Sequence, residues 1–154
     1  MPLSTSWFYK YDSVEAKERG QGGIGVHADQ ALVNINIWLT PDSANLDPTS
    51  GGLVVYDKAP DPAEVFGQAF DLWNNFLFAE QRLEWLRENG AANVTVPYRA
   101  NRAVMFDSKR LHATDRYDFK TGYENRRINL TLLFGDGRIH KAPDVPMTNE
   151  YSSF

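Results

Sequence analysis

Two short stretches of this chain alternate so regularly that they commit it to a fold built on β-sheet. Val33 to Leu39 places Val33, Ile35, Ile37 and Leu39 on one side and Asn34, Asn36 and Trp38 on the other. Arg127 to Phe134 repeats the pattern, with Ile128, Leu130, Leu132 and Phe134 set against Arg127, Asn129 and Thr131. A repeat of two is that of an extended strand, because successive Cβ atoms point to opposite faces. A half-buried strand ordinarily turns such polar residues to water. A strip of asparagine and arginine can equally line a polar cavity.

Further strand signals surround these runs, at Ser6 to Tyr11, Gly51 to Tyr56, Asn93 to Pro97, Arg102 to Phe106 and Leu111 to Tyr117. Short strands separated by turn signals imply a sandwich or a barrel. Thr40 to Ser50 and Asp118 to Asn125 read as loops, and the tail from Gly135 to Phe154 as irregular. Ser13 to Arg19 can form one or two helical turns. Asp61-Pro62-Ala63-Glu64 carries the marks of a helix start: an N-cap, a proline at the first position and an early acid. Val65, Ala69, Leu72, Trp73 and Phe76 follow at helical spacing, and a second stretch, Ala79 to Asn89, closes on Gly90. The expectation is a mainly β chain with a helical insertion at about 61–90, forming one domain across 1–154.

Composition narrows the chemistry. A net charge of −4 without a basic run argues against nucleic-acid or anionic-membrane partners. Cysteine is absent, which excludes disulfides, thiolate metal sites and a cysteine nucleophile. Any metal must therefore sit among nitrogen and oxygen ligands. With no membrane-length apolar run and no signal-peptide pattern, a cytoplasmic protein is expected.

Nitrogen donors are scarce, because the only histidines are His27, His112 and His140. His27 stands two residues before Asp29 in Gly23-Ile-Gly-Val-His-Ala-Asp29, the spacing at which extended side chains return to the same side. Such a pair can grip a divalent cation given a third ligand from elsewhere. Either residue alone could be an ordinary turn residue. His112 follows Ala103-Val-Met-Phe106 and could be a third ligand or a core histidine. His140 falls in the tail and is expected at the surface. Arg127 heads a polar strip, where its guanidinium is placed to fork onto a carboxylate. Arg126 points the opposite way and is expected to be exposed.

Taken in order, these motifs resemble the 2-oxoglutarate and Fe(II)-dependent oxygenases, particularly the prolyl-hydroxylase-like branch. The resemblance runs from about Gly20 to Phe134, through His27-Ala-Asp29, the strand entering a Pro/Asp-rich loop, Gly51-Gly52-Leu53, Val96-Pro97, His112 and Arg127-x-Asn129-x-Thr131. It implies a double-stranded β-helix, the cupin-like jelly roll. It implies His27, Asp29 and His112 as Fe(II) ligands, and hence as the catalytic centre. It implies Arg127 as the residue holding the far carboxylate of the co-substrate 2-oxoglutarate, with Asn129 and Asn36 lining that pocket. Many members carry serine where this chain has Asn129, and the interval from His112 to Arg127 is lengthened here by Asp118 to Asn125. The activity implied is hydroxylation of a small-molecule or peptidyl substrate, with release of succinate and CO2. The alternative is a metal-binding cupin-like jelly roll without oxygenase activity, an isomerase or ligand-binding module, which needs the three metal ligands but not Arg127. Neither the substrate nor the oligomeric state is legible in the residues.

Overall fold

The computed structural model describes residues 1–19, 22–59 and 79–135. Among these described residues, seven strands and two helices follow in the order β1 (Leu3–Tyr11), α1 (Ser13–Arg19), β2 (Val33–Trp38), β3 (Leu53–Tyr56), α2 (Ala79–Glu88), β4 (Asn93–Val96), β5 (Ala103–Asp107), β6 (His112–Thr114) and β7 (Arg127–Phe134). All strand pairs are antiparallel. They form a four-stranded sheet in the order β1-β7-β2-β5 and a three-stranded sheet in the order β4-β3-β6. The molecule is mainly β, as its alternating runs require.

Register places the alternation in space. Trp7 lies opposite Thr131, Tyr9 opposite Asn129 and Tyr11 opposite Arg127. On the other flank of β7, Asn36 pairs with Thr131 and Trp38 with Asn129. These residues share the face that is turned inward: Asn34, Asn36, Trp38, Arg127, Asn129 and Thr131 are all buried. The apolar residues Val33, Ile35, Ile37, Ile128, Leu130 and Leu132 lie half-buried on the opposite face. The usual rule of polar residues facing water is therefore inverted along both runs. The inversion is affordable only because the inward polar groups bond to one another.

Two apolar clusters flank the polar strip. In the first, Trp38, Leu53, Tyr98 and Phe119 pack together, with Val55, Val96, Val104 and Phe106 against them, so side chains of both sheets meet there. The Tyr98 hydroxyl donates to the Thr40 carbonyl at 2.7 Å, which satisfies the one polar atom this ring carries into the core. The second cluster joins Leu86 of α2 to Val26, Ala28 and Leu111, the neighbours in sequence of His27, Asp29 and His112. Leu86 and Arg82 form the inward face of α2. The helix ends as expected at Gly90 (φ 57°), whose N–H reaches the Arg87 carbonyl while the Ala91 N–H reaches that of Leu86.

Several sequence expectations shift. The strand expected over Leu111 to Tyr117 is confined to His112–Thr114, and β2 stops at Trp38. The loop expected over Asp118 to Asn125 contains one 3-10 turn, Tyr123–Asn125. Of the helical insertion, only α2 falls among the described residues. The Asp61 helix start, Val65 to Phe76 and the tail histidine His140 lie outside them. Among the described residues, no helix is long and apolar enough to cross a membrane.

Candidate metal centre

The site begins at a backbone contact. The His27 N–H donates to the His112 carbonyl at 2.9 Å, and the His112 N–H returns to the His27 carbonyl at 2.8 Å. This isolated antiparallel bridge sets two histidines from distant parts of the chain directly opposite each other. Their rings lie 4.1 Å apart between centroids. Two residues further, the Asp29 N–H bonds the Ser108 carbonyl at 3.0 Å, which holds the segment extended and returns Asp29 to the side of His27. His27, Asp29 and His112 are buried, and one potential ligand atom from each lies within 4.8 Å of the others.

Each imidazole is oriented by the carbonyl two residues before it. His27 Nδ1 lies 2.8 Å from the Gly25 oxygen and His112 Nδ1 lies 2.9 Å from the Arg110 oxygen. A carbonyl only accepts, so Nδ1 carries the proton in both rings and Nε2 carries the lone pair. Both Nε2 atoms face Asp29, at 3.9 Å from Oδ1 for His27 and 3.4 Å from Oδ2 for His112. Two lone pairs converging on an anionic carboxylate are stable only around a cation, either a proton or a metal. At His27 the proton is disfavoured: burial, reinforced by the neighbouring His112, pushes its pKa down to about 4. At Asp29 burial raises the carboxyl pKa, but the surrounding His112, His27 and Asn34 outweigh it and hold the carboxyl below its ordinary range. A donor set of two imidazole nitrogens and one carboxylate fits a divalent transition metal, including iron.

The cavity that holds this cluster is also lined by Trp7, Tyr9, Tyr11, Asn36, Asn129 and Arg127. Its volume is about 30 Å³. Arg127 is 2% exposed, and its guanidinium is fixed from three directions. Nε donates to the Gly51 carbonyl at 2.6 Å, Nη2 to the Gly52 carbonyl at 3.0 Å and Nη1 to Asn129 Oδ1 at 2.9 Å. These bonds leave one N–H on each terminal nitrogen, the pair suited to gripping a carboxylate. The rings of Tyr11 and Tyr117 stand 5.1 and 5.8 Å from the guanidinium carbon. Among the described residues, no carboxylate lies within ion-pairing distance of it. Arg126, by contrast, turns outward, and its Nε pairs with Asp12 at 2.8 Å.

Asn36 and Asn129 line the cavity, but their amides bond to each other and to neighbours within the strip. Trp38 is in the apolar core and does not line the cavity. Two features were not legible from motifs: the Gly51 and Gly52 carbonyls as anchors of Arg127, and the aromatic wall of β1. The alternation of Trp7, Tyr9 and Tyr11 was the available signal for that wall.

No protein-family model matches this chain, and no curated protein does. Among solved structures, an N-substituted L-amino acid dioxygenase from Burkholderia ambifaria AMMD is similar to it at 16% identity and a TM-score of 0.44, over 86% of this chain and 49% of that one. The same dioxygenase in complex with alpha-KG gives 16% identity and a TM-score of 0.41, over 85% and 48%. The chain thus spans about half the length of those structures.

Proposed function

We propose that this chain is a 2-oxoglutarate- and Fe(II)-dependent oxygenase of the prolyl-hydroxylase-like branch, which hydroxylates a small-molecule or peptidyl substrate. In this reading the two sheets are the halves of a double-stranded β-helix, 1–154 is one domain, and its setting is the cytoplasm, as composition suggests. One observation carries the reading: a buried two-histidine, one-aspartate cluster shares its cavity with a buried arginine that has no described carboxylate at ion-pairing distance. A buried cation without a paired anion is costly, and an anionic co-substrate would supply one.

His27 Nε2, His112 Nε2 and an Asp29 oxygen would hold the iron, and Arg127 the far carboxylate of 2-oxoglutarate. When bound, the iron supplies the oxygen activation that no protein side chain can. The protein's own part is orientation and exclusion of water. The Gly25 and Arg110 carbonyls lock both imidazoles in the ligating tautomer. The Gly51 and Gly52 carbonyls hold the guanidinium in place with its charge undiminished. Burial of Asp29 and His112 keeps bulk water from competing for the cation.

Anaerobic addition of Fe(II) and 2-oxoglutarate should give a weak visible charge-transfer band, and admission of air should release succinate. Arg127→Ala should lose the band at 2-oxoglutarate concentrations that saturate the wild type while still binding metal. A protein that binds metal but shows neither band nor succinate is a cupin-like metal protein without oxygenase activity.

A further inference from the structure

An unbroken line of buried hydrogen bonds joins the two halves of the cavity. Arg127 Nη1 donates to Asn129 Oδ1 at 2.9 Å, and Asn129 Nδ2 donates to Asn36 Oδ1 at 3.1 Å. Asn36 Nδ2 donates to Asn34 Oδ1 at 2.7 Å, and Asn34 Nδ2 donates to Asp29 Oδ2 at 2.7 Å. Thr131 sits beside this line, accepting from Asn129 Nδ2 at 3.1 Å and donating to Asn36 Oδ1 at 3.0 Å. The three asparagines are each at most 6% exposed.

The direction of the line is dictated by its ends. An ionised carboxylate only accepts and a guanidinium only donates. Asn34 must therefore turn its NH2 to Asp29, which leaves its oxygen for Asn36. The same constraint passes through Asn36 to Asn129, whose oxygen is left for Arg127. Reversing any one amide would set oxygen against oxygen, or NH2 against NH2, at both of its contacts. All three amide dipoles consequently point the same way, from a buried cation to a buried anion. Hydrogen bonds arranged head to tail polarise one another in a low-dielectric interior.

We infer that Asn34, Asn36 and Asn129 form a one-way relay that couples occupancy of the anion site at Arg127 to the affinity of the His27, Asp29 and His112 cluster for a divalent cation. The inference rests on the reading of those two sites given above. With the anion site empty, the Arg127 charge strengthens each donation down the line, and Asp29 is stabilised by the Asn34 amide. An anion on the two free N–H groups of Arg127 neutralises that charge. Donation along the relay weakens, and Asp29 becomes the better ligand for a cation. Binding free energies are reciprocal, so the cation must raise affinity for the anion by the same factor. The asparagines act through Arg127 and Asp29, and are positioning residues.

The test uses Mn(II) as the metal and glutarate as the anion. Glutarate carries both carboxylates of 2-oxoglutarate but lacks the keto oxygen needed for chelation. Mn(II) affinity, read from the free-ion electron paramagnetic resonance signal, is measured with and without saturating glutarate. Glutarate affinity, read by calorimetry, is measured with and without Mn(II). In the wild type, each ligand should tighten the other by the same factor, ~5- to 150-fold on the scale of typical couplings. Asn36→Leu cuts the line at its centre and should reduce the factor at least several-fold while both ligands still bind. Asn36→Thr does the same with a strand-compatible side chain that keeps a hydroxyl, and serves if the leucine variant does not fold. Thr131→Val removes bonds to the same asparagines without interrupting the line, and should keep the wild-type factor. Equal factors in the wild type and either Asn36 variant, or no coupling in the wild type, overturn the relay and leave the metal and anion sites standing. Absence of Mn(II) binding overturns both the relay and the functional reading beneath it.

Discussion

His27 shows how one residue's surroundings decide its chemistry. Its Nδ1 is tied to the Gly25 carbonyl, and its Nε2 shares a buried space with His112 and Asp29. Since burial lowers its pKa from 6.5 to about 4, the unfolded chain takes up a proton between those pH values that the native protein refuses. Stability of the metal-free protein should therefore fall as pH drops through that window, by on the order of 3 kcal/mol in all. The depressed Asp29 acts in the same direction below its ordinary value of 3.8. Urea unfolding at pH 7 and pH 4.5 measures the slope, and His27→Gln should flatten it. A profile as steep in the variant as in the wild type would assign the acid sensitivity to other groups.

Glycines matter at the level of elements, and for different reasons at different places. A Cβ on Gly52 would stand 1.8 Å from the Val96 carbonyl oxygen and 2.9 Å from the Tyr98 nitrogen. Both are backbone atoms that cannot swing aside. Gly52→Ala should thus push β3 from β4 and displace a carbonyl that holds Arg127, costing upwards of about 1–3 kcal/mol and weakening the 2-oxoglutarate binding proposed for that residue. Gly90 has nothing within 4 Å of such a Cβ, so its substitution by alanine meets only the backbone cost of its positive φ, ~1–2 kcal/mol. Chemical denaturation of the two variants should rank Gly52→Ala as the more destabilised, and only that variant should lose co-substrate affinity. The packing of α2 is testable in the same way. Leu86→Ala empties a site shared with Val26, Ala28 and Leu111 and should cost about 2–5 kcal/mol. Because those residues flank His27, Asp29 and His112, the proposed metal ligands, its Mn(II) affinity should fall as well.

Across the whole molecule, a ligand that needs three side chains from two distant segments binds only the folded state. The cluster draws His27 and Asp29 from the segment before β2, and His112 from β6. Mn(II) at one hundred times its dissociation constant should therefore stabilise the protein by ~2.7 kcal/mol, by mass action alone. Denaturant melts with and without Mn(II) measure this, and Asp29→Ala should abolish the difference. Stabilisation that persists in Asp29→Ala would place the ion elsewhere on the surface.

Much of this was written in the sequence because it depends on local spacing. The period-two runs of β2 and β7 name the strands, and the two-residue step from His27 to Asp29 puts both side chains on one side of an extended segment. Asp61 to Gly90 carries helix signals, of which α2 is the described part. Only the tertiary structure decided which face of each strand looks inward. Alternation defines two faces without ranking them, and here the polar face is inside because its asparagines, threonine and arginine satisfy one another. Sequence distance also hid the bridge from His27 to His112, the seating of Arg127 on the Gly51 and Gly52 carbonyls, and the amide line from Arg127 to Asp29. The bridge, the seat of Arg127 and the step of the line from Asn129 to Asn36 are hydrogen-bonded contacts between segments far apart in the chain, and they exist only once tertiary packing has set donors opposite acceptors.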